Sequence, residues 1–116
     1  GGEILVPKIP SFRVTDLAEA IAPNAKHQVV GTRPGEKVHE EMITASDSYS
    51  TVDVGSYYAI LPPSHRGPPE DFVPGTPTVP VEPGFRYSSD KNDVFLGVDE
   101  LRSLIRQHVD PAFQPV

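Results

Sequence analysis

Apolar residues fall along this chain in short blocks, and each block reads as one element. Residues 3–6, "EILV", predict a strand stopped by Pro7. In "TDLAEAIAP", Leu17, Ala18 and Ile21 share one face of a short helix. Thr15 is placed to cap it, Asp16 and Glu19 suit its N-terminal end, and Pro23 closes it. "HQVVGT" is rich in β-branched residues and predicts a second strand. "GEKVHEEMI" has Val38 and Met42 four apart, which predicts a second helix. Strand character returns around Tyr57–Leu61. The clearest periodicity is in "VDELRSLIRQHV", where Val98, Leu101, Leu104 and Ile105 form one stripe, Gly97 serves as a cap and Pro111 as a stop.

The order strand, helix, strand, helix, strand, loop, helix is an α/β pattern. The inventory is thin for a closed domain, so a lobe that packs on something else is expected. Proline changes the picture in the middle of the chain: eight of the 14 prolines fall between Pro62 and Pro83. That density excludes helix and most sheet. It divides the chain into an α/β lobe (1–61), a Pro-rich extended loop or linker (62–84) and a tail segment with the C-terminal helix (85–116). The Pro-rich stretch lacks a regular PxxP repeat, which favours a spacer over a docking ligand for an aromatic groove.

Composition narrows the classes. The 116 residues suit one domain or part of one. Ten basic against 16 acidic residues leave a net charge of −6. That argues against a nucleic-acid surface or docking on an anionic membrane. There are no cysteines, which excludes disulfides and thiolate chemistry. No apolar run approaches the ~20 residues of a membrane span. No signal peptide is evident, and a cytoplasmic location is the expectation.

One short stretch carries candidate chemistry. In "VVGTRPGEKVHEEM", Arg33 and Glu36 flank a Pro-Gly corner between a predicted strand and a predicted helix. Amides at a helix start are unpaired, and an arginine beside them makes an anion site that can grip phosphate bidentately. Lys37 adds a point charge. Glu36 would repel phosphate but suits a hydroxyl donor such as a ribose 2′- or 3′-OH. Phosphate plus vicinal hydroxyls describes a nucleotide. The competing reading is a surface turn whose Arg33 and Glu36 pair with their neighbours.

Three blocks, "GEILVPKIPSFRVTDLAEAIAP", "VVGTRPGEKVHEEMI" and "FRYSSDKNDVFLGVDELRSLI", together resemble the C-terminal, substrate-binding part of bacterial UDP-N-acetylglucosamine 4,6-dehydratases. Both the inverting and the 5-epimerising types are similar, and the "YSSDKND" tail looks more like the epimerising ones. These enzymes belong to the extended short-chain dehydrogenase/reductase class and serve polysaccharide and glycan synthesis. The resemblance implies that Arg33 meets the pyrophosphate and Glu36 the uridine ribose. Lys37, Lys8 and Ser11 are further candidates at the border of the same cleft. It implies UDP-N-acetylglucosamine as the ligand and NADP as the cofactor of the full-length enzyme. It also implies a separate N-terminal Rossmann domain as partner and a homo-oligomer contacted through the last helix.

The family's Gly-rich loop for NADP is absent from this sequence. Its catalytic Tyr-x-x-x-Lys pair is matched only formally, by Tyr87 and Lys91, in a tail block far downstream of that pair's place. The chain is therefore expected to lack catalytic and cofactor residues and to be inactive alone. A non-enzymatic interaction module with a vestigial nucleotide corner is the alternative. His27, His39, His65 and His108 have no metal-ligand spacing, so no metal is expected. Ser88, Ser89 and Asp90 lack a nucleophile elbow and read as a turn.

Overall fold

The computed structural model describes all residues, Gly1–Val116. The chain forms two compact units, each discontinuous in sequence: residues 1–9 with 39–91, and residues 10–38 with 92–116. These units do not coincide with the linear segments 1–61, 62–84 and 85–116. The chain crosses from one unit to the other three times, because the partners of its early segments lie late in the sequence.

The first unit is built on a four-stranded antiparallel sheet in the order β1-β5-β4-β6. Its strands are β1 (Ile4–Pro7), β4 (Thr51–Asp53), β5 (Tyr57–Ile60) and β6 (Val79–Pro80). β4 and β5 form a hairpin in which Val52 faces Ala59 and Asp53 faces Tyr58. The residues 54–56 loop turns at Gly55, whose φ of +99° only a glycine adopts without strain. β1 closes the other side of β5, with Val6 opposite Tyr58. A second pair, β3 (Glu41–Ile43) with β7 (Tyr87–Ser88), runs antiparallel with an irregular register.

Two apolar clusters hold this unit. Val52, Val54, Ala59 and Leu61 form one, with Tyr57, Phe72 and Val73 packed against it. Val6, Ile43 and Tyr87 form the other, with Met42, Tyr58, Ile60 and Phe85. The Tyr58 ring packs at a tilt against both Phe85 and Tyr87, with centroids 5.2 Å apart. Burying each large aliphatic contributes roughly 1.5–3 kcal/mol.

The second unit holds two helices, α1 (Val14–Ile21) and α2 (Val98–His108), packed on each other. Ala20 and Leu101 are buried in it. The Arg102 guanidinium donates to the carbonyls of Ala20 at 3.1 Å and Glu19 at 3.3 Å, satisfying acceptors that the last turn of α1 leaves open. β2 (Ser11–Phe12) and β8 (Phe95–Leu96) form a short parallel pair. Gly97 caps α2 as the sequence indicates, and its amide donates to Glu100 Oε1 at 3.3 Å. Of the stripe on α2, Leu101 is buried, Val98 and Ile105 are half-buried, and Leu104 stays exposed. No helix is long and apolar enough to cross a membrane.

Four expectations change. α1 begins one residue before Thr15, and Arg13 is its N-cap without a side-chain hydrogen bond. "HQVVGT" is not a strand: no ladder partner meets it, and Val29 and Val30 are each 85% exposed. "GEKVHEEMI" is not a helix. Glu40 and Ser89 exchange hydrogen bonds, with Ser89 N donating to Glu40 O at 2.8 Å and Glu40 N to Ser89 Oγ at 2.9 Å. That pairing draws Glu41–Ile43 into β3, a case of tertiary contacts overriding a weak helical pattern. The Pro-rich stretch is only partly an extended loop. Pro69–Asp71 makes a 3-10 turn, Phe72 and Val73 pack on the first cluster, and Val79–Pro80 joins the sheet edge as β6. Proline is tolerated there because an edge strand needs few donors.

Candidate functional site

The Arg33–Glu36 corner is a hydrogen-bonded turn in the second unit. Pro34 presets the first central position, and Gly35 takes φ +85° at the second, the pattern of a type II turn. Glu36 N donates to Arg33 O at 3.0 Å and closes it. The Glu36 side chain folds back, so that Oε2 accepts the Arg33 amide at 2.9 Å. Oε1 lies 3.8 Å from Arg33 Nε. Because residues 37–40 are not helical, no row of helix amides stands behind the corner. Any anion affinity therefore rests on the Arg33 and Lys37 side chains, and both are exposed.

The arginine is 88% exposed, and a surface ion pair at that length contributes only about 0–1 kcal/mol. A phosphate bound bidentately would displace it readily. The Glu36 carboxylate accepts one amide and keeps acceptor positions for a hydroxyl.

The other candidates are placed differently. Lys8 belongs to the first unit, where its ammonium lies 2.8 Å from Asp53 Oδ1 and 4.7 Å above the Tyr58 ring. Burial alone would raise the Asp53 carboxyl. Hydrogen bonds from Lys8 and from the Gly55 amide, together with the Lys8 charge, outweigh it and hold the group below the ordinary carboxylate range. Lys8 is thus engaged within its own unit. Ser11 lies in the second unit with Arg33 and Glu36, and its Oγ accepts a hydrogen bond from Asn92 Nδ2 at 3.1 Å.

Tyr87 and Lys91 do not make a proton-transfer pair. The Tyr87 hydroxyl accepts from Ile9 N at 2.9 Å and donates to Ile9 O at 3.0 Å, so the backbone occupies it on both sides. Ser88, Asp90 and His39 approach one another, but in the wrong sense for a nucleophile. Ser88 is buried and donates to Asp90 Oδ1 at 2.7 Å, and His39 Nε2 stands 3.9 Å from Asp90 Oδ2. The Ser88 hydrogen bond holds the Asp90 carboxyl low against the cost of burial, helped by His39, its own backbone amide and Lys91. Sequence reasoning missed the anchoring roles of Tyr87 and Asn92. Neither has a periodic signal, and only the tertiary contact reveals them.

A family model described as polysaccharide biosynthesis protein matches residues 1–62, more than half of the chain. The chain belongs to the polysaccharide biosynthesis protein family. Among relatives, a UDP-N-acetylglucosamine 4,6-dehydratase (inverting) of Campylobacter jejuni is 45% identical over 109 residues, 90% of this chain and 33% of that protein. A UDP-glucose 4-epimerase of Rickettsia canadensis is 35% identical over 63 residues, 51% of this chain and 18% of the enzyme. The X-ray structure of Pen from Bacillus thuringiensis superposes on 92% of this chain and 32% of its own, with a TM-score of 0.71 and 27% identity. This member of the polysaccharide biosynthesis protein family thus spans about a third of the length of the dehydratase it matches.

Proposed function

We propose that this chain is the UDP-sugar-binding C-terminal part of a UDP-N-acetylglucosamine 4,6-dehydratase in polysaccharide or glycan synthesis, with a 5-epimerising outcome as the finer alternative. The observation that carries the reading is the 45% identity over 90% of the chain to an enzyme of that name. The Arg33–Glu36 turn supplies the chemistry. Arg33 meets the pyrophosphate, Glu36 accepts from the ribose hydroxyls, and Lys37 adds positive charge.

NADP belongs to the complete enzyme, where it supplies the hydride chemistry. The residues of this chain do not fit it. No glycine-rich turn stands between a strand and a helix, and the Tyr87 hydroxyl, the one formal candidate for the base, is held by Ile9. The chemical steps therefore fall to a Rossmann domain outside this chain, and this lobe binds and orients the nucleotide.

Titration calorimetry with UDP tests the reading. Binding is expected, and Arg33→Ala should weaken it by roughly tenfold or more, the value of a hydrogen bond to a charged group. No heat at millimolar UDP would sink the nucleotide reading. The chain with added NADP should form no 4-keto-6-deoxy sugar above a blank. One observation favours the rival, a non-enzymatic interaction or oligomerisation module: Arg33 and Glu36 close on each other in an exposed turn. The same titration separates the two.

A further inference from the structure

Ser11 is held at three points within its unit. Its amide donates to Val94 O at 2.9 Å, its backbone pairs with Phe95 in the parallel ladder, and its Oγ accepts from Asn92 Nδ2 at 3.1 Å. The direction of the last bond follows from a fourth contact. Asn92 Oδ1 accepts the Val94 amide at 3.2 Å, so the nitrogen end of the side-chain amide must face Ser11.

A serine hydroxyl has one proton and two acceptor positions. Asn92 fills one acceptor position and leaves the proton free. Ser11 is only half-buried, so the proton can reach a bound group. Positive charge lies two residues further along the chain, at the N-cap of α1. There Arg13 lies over the ring of Phe95 at 5.8 Å, and Phe95 is the ladder partner of Ser11. A free hydroxyl proton and a guanidinium that share Phe95 as a neighbour suit an anionic oxygen.

We infer that the Ser11 hydroxyl donates to a phosphate oxygen of the bound nucleoside diphosphate, and that Asn92 is the positioning residue that aims it. The inference rests on the nucleotide reading above. It also makes use of the "YSSDKND" stretch, whose asparagine otherwise has no role in binding.

The test is calorimetry of the 116-residue chain with UDP and, separately, with uridine, which lacks the phosphates. Ser11→Ala should weaken UDP by roughly tenfold and leave uridine unchanged. Asn92→Asp keeps an acceptor for the Val94 amide. Its carboxylate, however, takes the Ser11 proton and repels phosphate, so it should weaken UDP at least as much and again spare uridine. Ser11→Thr keeps the hydroxyl and should restore UDP affinity to within about threefold of wild type. Wild-type binding with both loss variants unchanged would overturn the inference and leave the nucleotide reading standing. Equal weakening of UDP and uridine would also overturn it, because it would mean the pair only holds structure. A wild-type chain that binds neither ligand removes the nucleotide reading and this inference together.

Discussion

Replacing Tyr87 by phenylalanine removes one oxygen atom and keeps the ring. The packing at 5.2 Å against Tyr58 stays, and so does the apolar contact with Val6 and Ile43. What disappears is the pair of hydrogen bonds to Ile9, at 2.9 Å from its amide and 3.0 Å to its carbonyl. Each is worth about 0.5–1.5 kcal/mol net, so the ceiling is about 3 kcal/mol. Ile9 is 50% exposed, and water repairs part of the loss. The expected cost is therefore about 1–2 kcal/mol, or roughly 4–8 °C in Tm for a chain of this size. Urea unfolding followed by circular dichroism measures it, with the midpoint falling and the slope unchanged. Amide exchange supplies the local signature, since Ile9 should lose protection while Ala59 keeps it. A change below about 0.5 kcal/mol with the Ile9 amide still protected would refute the view that this hydroxyl anchors the end of the first strand segment.

Ile43 is fully buried, so Ile43→Ala should cost about 2–5 kcal/mol in the same unfolding assay. Gly55→Ala, at φ +99° with open space at the added carbon, should cost about 1–2 kcal/mol from backbone strain alone, and Gly55→Asn should cost less. The Asp53 carboxyl is lowered in the folded chain, so its stabilising effect is complete above the unfolded carboxylate value near pH ~3.9 and is lost as pH falls through the folded one. Unfolding midpoints measured from pH 6 down to 2 should therefore drop less in Asp53→Asn than in wild type. Amides of Val29 and Val30 should exchange faster than those of Val52 and Ala59, and the Val81 amide, bonded to Thr51 O at 3.1 Å, should outlast its neighbours in residues 63–77.

What the sequence disclosed follows from how local the deciding forces are. α2 was readable because its stripe, its cap and its acidic first turn all lie within 12 residues. β1 and the β5 strand were readable from apolar runs bounded by proline. β3 was not, since Glu41–Ile43 becomes a strand through Ser88 and Ser89, more than 40 residues away. Val29 and Val30 carry strand propensity without a strand partner, so propensity alone misleads there. The Arg33–Glu36 corner was legible as a turn because Pro34 and Gly35 dictate it. The helix expected behind it failed with β3, and with it went the row of backbone donors that an anion site there would use. The engagement of Lys8 by Asp53 and the aim of Asn92 at Ser11 are contacts 45 and 81 residues apart, beyond the reach of any local pattern.

The threefold crossing of the chain between its two units bears on how it folds during synthesis. Val6 waits for Tyr58, and Ala20 waits for Arg102, 82 residues later. Closing such long loops is slow, and neither unit can be finished by the first half of the chain alone. Maturation of one of these two units before the other has begun to be made is therefore closed to them. α1 must leave the ribosome with its apolar face uncovered and stay so until α2 follows.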